Sequence, residues 1–304
     1  MKKVLVTGAT GFVGRHSLPS LSGRGYEVHA VTSRETVPEV KVSGVVWHRA
    51  NLLERAEVMA LVSEVRPSHL LHFAWCAVPG KYRTSLENLR WVQASLELLL
   101  TFAGSGGRRV VAAGTCAEYE WGRAESCREQ ETPLRPATLY GACKHALRLM
   151  LEAYARQEGL SAAWGRVFFL YGPHEHPDRL VASTVRSLLR GQEARCTNGR
   201  QARDLMHVAD VAEAFVALLD GEVQGAVNIA SGRAVALRDV VNQIGEKLGR
   251  PDLIKLGAIQ APPEEPLVIA ADTKRLNEEV GWRPHRELSA GLGDTIEWWR
   301  KNLA

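Results

Sequence analysis

The sequence predicts an α/β fold built on a parallel sheet with helices on both faces. Three observations carry this. Short β-branched runs alternate with helical stretches through the first half of the chain. The strand centres VLV (4–6) and VVAA (110–113) are wholly apolar, as burial on two faces requires. A glycine-rich turn follows the first strand directly and opens the first helix.

The elements follow in order. KVLVT (3–7) is a strand, and GFVGRHSLPSLSGRG (11–25) is a helix that ends in glycine. EVHAVT (27–32) and GVVWH (44–48) are strands, and 53–64 is helical. HLLHFA (69–74) is a strand, 84–104 a long helix, and RRVVAAG (108–114) a strand. A second long helix covers 138–157, and SAAWGRVFFL (161–170) holds a strand. Beyond about residue 170 prolines and turn signals crowd together, so a smaller, more irregular portion is expected to cap the sheet. Within it, 204–230 (helix 208–220, strand AVNIA) is expected to return to the large sheet. The expected division is 1–168 plus about 204–230 for the large domain, and about 169–203 plus 231–304 for the small one.

Composition excludes several classes. The 304 residues are 45% apolar and 24% charged, ordinary values for a chain with a sizeable core. The net charge of +4 comes from bases interspersed with acids, which is no nucleic-acid footprint but suits a small anionic ligand. The five cysteines are scattered without CxxC or zinc-like spacing, so reduced thiols are expected. The start, MKKVLVTG, lacks the apolar core and cleavage site of a secretion signal. The apolar run LELLLTFAG is too short for a bilayer. A soluble, cytoplasmic protein is expected. His174 and His176 in GPHEHPD lack a third metal ligand at sensible spacing, so no metal is expected.

TGATGFVG (7–14) spaces Gly8, Gly11 and Gly14 as G-x-x-G-x-x-G. Without Cβ atoms, the backbone N–H groups through Thr10, Phe12 and Val13 can approach a diphosphate at the helix N-terminus. The last glycine lets helix and strand pack closely. The cofactor's ribose is met at the end of the second strand, about 20 residues past the glycines. Arg34 stands there beside Ser33, and together they suit a 2′-phosphate. NADP is therefore expected. In the alternative, Glu35 meets the ribose and the cofactor is NAD.

Tyr140 and Lys144, in LYGACK, lie on one helix face because i and i+4 are neighbours. A phenol ionises near pH 10, and a fixed cation beside it favours the phenolate. Such a tyrosine can pass a proton to or from a carbinol or carbonyl oxygen. The competing reading is a packed tyrosine with a surface lysine.

TGATGFVG followed by YGACK resembles the extended short-chain dehydrogenase/reductase superfamily, in its nucleotide-sugar epimerase/dehydratase/4-ketoreductase branch. Further marks fall in order along nearly the whole chain: HFAW (72–75), SLENLRWVQASLELL (85–99), GTCAEYE (114–120), RVFFLYGP (166–173), RDLMHVADVAEA (203–214) and ADTKRL…GWRP (271–284). The resemblance implies a doubly wound Rossmann sheet with a smaller C-terminal substrate-binding domain. It implies a Thr115, Tyr140, Lys144 triad and a dinucleotide lined by Phe73, Ala74, Trp75, Asn51 and Leu52. It implies Asn88 supporting the active site, Arg203 gripping a sugar-nucleotide diphosphate, and a homodimer through the helices at 84–104 and 138–157.

Departures narrow the chemistry. The 4,6-dehydratases carry an acid and a glutamate directly after the threonine; Cys116 and Ala117 stand here, with Glu118 one place late. Glu118 is kept among the expected substrate contacts, since a bulge would recruit it. Phe169 replaces an asparagine of the relatives, and the late arginine-proline element is only APPEEP (261–266). A missing phosphate arginine is then expected from Lys81, Arg83 or Arg179. The expected activity is NADPH-dependent reduction of a nucleoside-diphosphate 4-keto-6-deoxy sugar. The alternative is a 4-epimerase with tightly held NAD; a 4,6-dehydratase or a non-catalytic NADP sensor is disfavoured.

Overall fold

A computed structural model of the chain describes residues 2–36, 42–122, 126–261 and 266–303. Its frame is a seven-stranded sheet: β1 (Lys3–Thr7), β2 (Glu27–Thr32), β3 (Val45–Arg49), β4 (His69–His72), β5 (Arg109–Thr115), β6 (Ser161–Val167) and β10 (Gly225–Ile229). The spatial order is β10-β6-β5-β4-β1-β2-β3, and every pairing is parallel. The parallel sheet expected from the alternating pattern is thus present, and its strand order is the doubly wound one that the family resemblance implies.

The inner strands are apolar because both faces are covered. On one face lie α1 (Gly14–Gly23) and α6 (Val208–Asp220), which bury Leu18, Leu21, Val211 and Phe215 against Val4, Val6 and Val111. On the other lie α2 (Arg55–Val65), α3 (Glu87–Gly104) and α4 (Leu139–Glu158), which bury Val58, Leu98, Phe102, Leu147 and Leu151 against Leu5, Leu70 and Val110. Gly165 in β6 makes room for Phe215, since a Cβ there would sit 2.4 Å from the ring. Burying such a phenyl group contributes roughly 1.5–3 kcal/mol.

One strand differs from expectation. The 161–170 run breaks at Phe168, and β7 (Phe169–Tyr171) leaves the large sheet to pair with β9 (Ala202–His207). β9 is flanked by β11 (Ala234–Ala236) and β13 (Val268–Ile269) in a second sheet. Residues 204–207 therefore belong to this second sheet, and the return to the large one begins at α6. A short ribbon joins β8 (Ala194–Arg195) to β12 (Ile254–Lys255). Helices α5 (Leu180–Leu189), α7 (Leu237–Lys247) and α8 (Leu288–Asn302) share a separate core with Val185, Val240, Ile244, Leu292 and Trp299. No helix among the described residues is long and apolar enough to cross a membrane. All five cysteines are free thiols.

Candidate active site

Strand order reverses between β1 and β4, which is where open α/β sheets bind ligands at their carboxyl edge. A cleft of about 740 Å³ opens there and runs from the glycine turn to the second sheet.

The turn is built for close approach. Gly8 has φ +66°, and a Cβ on it would lie 2.8 Å from the Ala74 nitrogen. A Cβ on Gly14 would lie 2.2 Å from the Gly8 oxygen, so α1 begins directly against β1. Gly11 is exposed, and Thr10, Phe12 and Val13 line the cleft with it. These residues fit a dinucleotide diphosphate: backbone donors at a helix N-terminus, with no side chain in the way. Ser33, Asn51, Leu52, Phe73, Ala74 and Trp75 line the same cleft. Asn51 closes its own turn by accepting from the Leu53 N–H at 3.1 Å. Arg34 is not part of the cleft wall; it stands exposed next to Ser33. Its charge, together with burial, lowers the pKa of Arg15, which donates to the Thr10 carbonyl at 2.8 Å and meets the His174 ring.

Thr115, Tyr140 and Lys144, the expected triad, come from two elements. Thr115 ends β5, and its hydroxyl accepts from the Ala117 N–H at 3.2 Å. Tyr140 opens α4, whose Thr138 N-cap accepts from Gly141 N–H at 3.2 Å. A Cβ on Gly141 would fall 2.4 Å from the Ala117 oxygen, so glycine allows the helix to start against the Thr115 turn. Tyr140 and Thr115 both line the cleft. Burial holds the Tyr140 phenol above its ordinary pKa, Thr115 pulls it down, and Tyr82, Cys116 and Glu118 add to the rise. Lys144, expected from the spacing to stand beside the phenol, makes its contacts with other groups. The Lys144 ammonium turns instead to the Ala113 carbonyl at 2.8 Å and lies 3.8 Å from the centre of the Trp75 ring. Burial pulls Lys144 down to about 7, against the pull of Glu118. A protonated phenol that shares a cleft with a threonine hydroxyl at the sheet edge can donate a proton to a substrate oxygen.

Two expected substrate contacts lie elsewhere. Glu118 is fully buried beneath Thr115, where Oε1 accepts from Thr115 N–H (2.9 Å) and Trp164 Nε1–H (2.8 Å), and Oε2 from Arg166 Nε–H (3.0 Å). Its carboxylate caps the turn and neutralises Arg166, so it does not face the cleft. Asn88 is buried behind Trp75; Oδ1 accepts from the indole Nε1–H at 2.8 Å, and Nδ2 donates to the Tyr82 and Ser85 carbonyls at 2.7 Å each.

Phe169, Arg179 and Arg203 do line the cleft. The Arg203 guanidinium lies 5.5 Å over the Phe169 ring, and its Nη1 donates to the Ala202 carbonyl at 2.9 Å. The phenyl ring thus offers the guanidinium a stacking partner. Asp204, next to Arg203, is buried and accepts from Ser231 and Gly232. Arg83 lines the cleft, and Lys81 does not. Of the 261–266 element, residues 262–265 lie outside the described residues.

Sequence reasoning missed Tyr82, whose ring meets Tyr140 edge-on at 4.8 Å, and Trp121, fixed by its Nε1–H to the Cys116 carbonyl at 2.8 Å. It also missed Glu175. This carboxyl is buried in the cleft wall, its Oε2 has no hydrogen-bond partner, and burial pushes its pKa up to about 8. In GPHEHPD, Glu175 and His176 both line the cleft, and Glu175 is the buried one. His174 is occupied by Arg15 and by the Trp298 ring, 4.5 Å away.

A doubly wound sheet with a glycine cradle, and Thr115, Tyr140 and Lys144 at its carboxyl edge, fit a dinucleotide-binding enzyme fold. The profile of the NAD dependent epimerase/dehydratase family matches residues 4–230, and the chain belongs to that family. The chain is 27% identical to UDP-glucuronic acid decarboxylase 1 of Xenopus tropicalis, over 99% of its own length and 73% of that protein's. It is 26% identical to dTDP-4-dehydro-6-deoxy-D-allose reductase of a Streptomyces species, over 98% of this chain and 96% of that one. The structure of Thermus thermophilus UDP-glucose 4-epimerase in complex with NAD superposes with a TM-score of 0.85 at 27% identity, covering 98% of this chain and 99% of that one. The family's enzymes are NAD-dependent epimerases, dehydratases and reductases of nucleotide sugars.

Proposed function

We propose that the protein reduces the 4-keto group of a nucleoside-diphosphate 4-keto-6-deoxy sugar with NADPH. The observation that carries this reading is Tyr140, held protonated by burial, lining one cleft with Thr115, and Cys116 and Ala117 standing where elimination would need an acid and a base. The reductase relative from Streptomyces supports it. Ser33 in the cleft, with Arg34 and Arg15 close by, supports a 2′-phosphate.

When bound, the dihydronicotinamide supplies a hydride to C4 of the sugar. Thr115 and Tyr140 donate hydrogen bonds to the C4 carbonyl oxygen and stabilise its developing charge. Tyr140 then passes its proton to that oxygen, which completes the alcohol, and the Lys144 ammonium offsets the phenolate left behind. Arg179, Arg203 and Arg83 are the cations for the substrate diphosphate. The large sheet holds the dinucleotide, and 169–203 with 231–304 holds the nucleotide sugar. Leu89, Leu100, Leu149 and Met150 are exposed on α3 and α4, which supports a homodimer through these helices.

The test is nicotinamide absorbance with a dTDP- or CDP-linked 4-keto-6-deoxy sugar. NADPH should be consumed much faster than NADH, and Tyr140→Phe should lose roughly 10²- to 10⁴-fold in kcat while NADPH still binds. The NAD-bound epimerase neighbour favours a second reading. No consumption, with NAD copurifying and 4-epimers interconverting, would establish that one instead.

A further inference from the structure

Trp75 touches both catalytic side chains that matter most for charge. Its ring centre lies 3.8 Å from Lys144 Nζ, and the ring meets Tyr140 edge-on at 6.4 Å. It is held from behind: Nε1 donates to Asn88 Oδ1 at 2.8 Å, and Trp91 packs 6.3 Å away. Asn88 is itself pinned to the carbonyls of Tyr82 and Ser85. A continuous support runs from the loop before α3, through Asn88, to the indole, and from the indole to the ammonium.

Lys144 needs that support. It is 3% exposed, and the Ala113 carbonyl at 2.8 Å is its one hydrogen-bond acceptor among the described residues. An ammonium carries three donors and is expensive to bury half-satisfied. The negative face of an indole is the best aromatic partner for a desolvated cation.

We propose that Trp75 is a positioning residue that keeps Lys144 charged and aimed under the cleft floor, and that Asn88 acts by holding Trp75 rather than by touching substrate. The mechanistic consequence rests on the reading that Lys144 works as a cation during turnover; the contact itself does not. The other charged or titratable groups facing Lys144 are few. Glu118 approaches from the turn after β5, already shared with Arg166 and near Arg148 on α4. Tyr140 lies one turn earlier on α4. His72 on β4 is held neutral, mainly by burial and then by the Lys144 charge. None of these supplies a partner that would replace the ring.

The sign follows directly. A ring that favours the cation raises the lysine's pKa, so removing the ring lowers it, and activity that needs the cation is lost from the alkaline side. The experiment is NMR titration of isotopically labelled lysine in the unliganded protein, with the Lys144 signal assigned by its absence in Lys144→Met. Trp75→Leu should shift the Lys144 titration down by about one pH unit, a tenfold change, and Trp75→Phe by about half of that because phenyl is the weaker partner. In the turnover assay, kcat/KM of Trp75→Leu should fall about tenfold on the alkaline side and recover as pH is lowered. Asn88→Ala should reproduce part of both effects. A Lys144 titration identical in wild type and Trp75→Phe, which conserves the fold best, overturns the proposal. So does a loss in Trp75→Leu that is equal at every pH. The titration needs no substrate, so failure of the ketoreductase assay leaves its outcome intact.

Discussion

Glu175→Gln offers a quantitative check on the electrostatics of the cleft. The carboxyl is buried, Oε2 is unpartnered, and burial is opposed by the Arg179 charge and the Ala182 N–H at the start of α5. Its pKa is raised from 4.5 to about 8, with burial as the main cause. The unfolded chain therefore sheds this proton from pH 4.5 upward, while the folded protein keeps it until about pH 8. Stability falls as pH rises through that window, at up to about 1.4 kcal/mol per pH unit, and is flat outside it. At pH 7 the accumulated destabilisation is on the order of 3 kcal/mol. Glutamine has no proton to lose, and its amide oxygen can still accept from Ala182. The variant should thus melt higher than wild type by roughly 5 °C near pH 7.5, with the gap closing toward pH 5. Thermal unfolding of the unliganded pair across that range is the assay. A gap that is independent of pH, or of opposite sign, refutes a neutral buried carboxyl at this position.

Other substitutions test neighbouring parts of the site. Glu118→Ala leaves Arg166 buried without its carboxylate and should cost about 3–5 kcal/mol in denaturant unfolding, with Glu118→Gln closer to wild type. Gly141→Ala puts a methyl group 2.4 Å from the Ala117 oxygen, so the start of α4 must move and turnover should fall at least tenfold with the melting temperature less affected. Arg34→Ala should reduce the preference for NADPH over NADH by roughly 10- to 100-fold in Kd measured calorimetrically, through loss of a charge-assisted contact. An unchanged preference would remove Arg34 from the cofactor site.

Much of the frame is legible in the chain because its cause is local. KVLVT and EVHAVT announce buried strands through composition, and the observed β1 and β2 match those runs. Gly8, Gly11 and Gly14 announce the cradle because no other residue fits there. The second sheet and the short ribbon are not legible, since β13 in the one and β8 and β12 in the other have two residues each and exist only through distant pairing. Side-chain direction is the other gap. Glu118 looks like a displaced catalytic acid in GTCAEYE, and its real partners, Trp164 and Arg166, sit on the neighbouring strand β6. Spacing along the chain does not reveal that they take both oxygens. Asn88 is similar: its helix is predictable, but the indole that claims its amide comes from the loop after β4.

The large sheet is not finished in one pass. The chain leaves it at Val167, builds β7, α5, β8, β9 and α6, and comes back only with Gly225–Ile229. During synthesis on a ribosome, β6 waits with one side of its peptide groups unmatched throughout that detour, which at about 5–20 residues per second lasts some seconds. A nascent chain stalled there carries a sticky rim into the crowded cell. The yield of this protein in a foreign host should therefore respond to translation speed across 168–224 more than to codon choice before it.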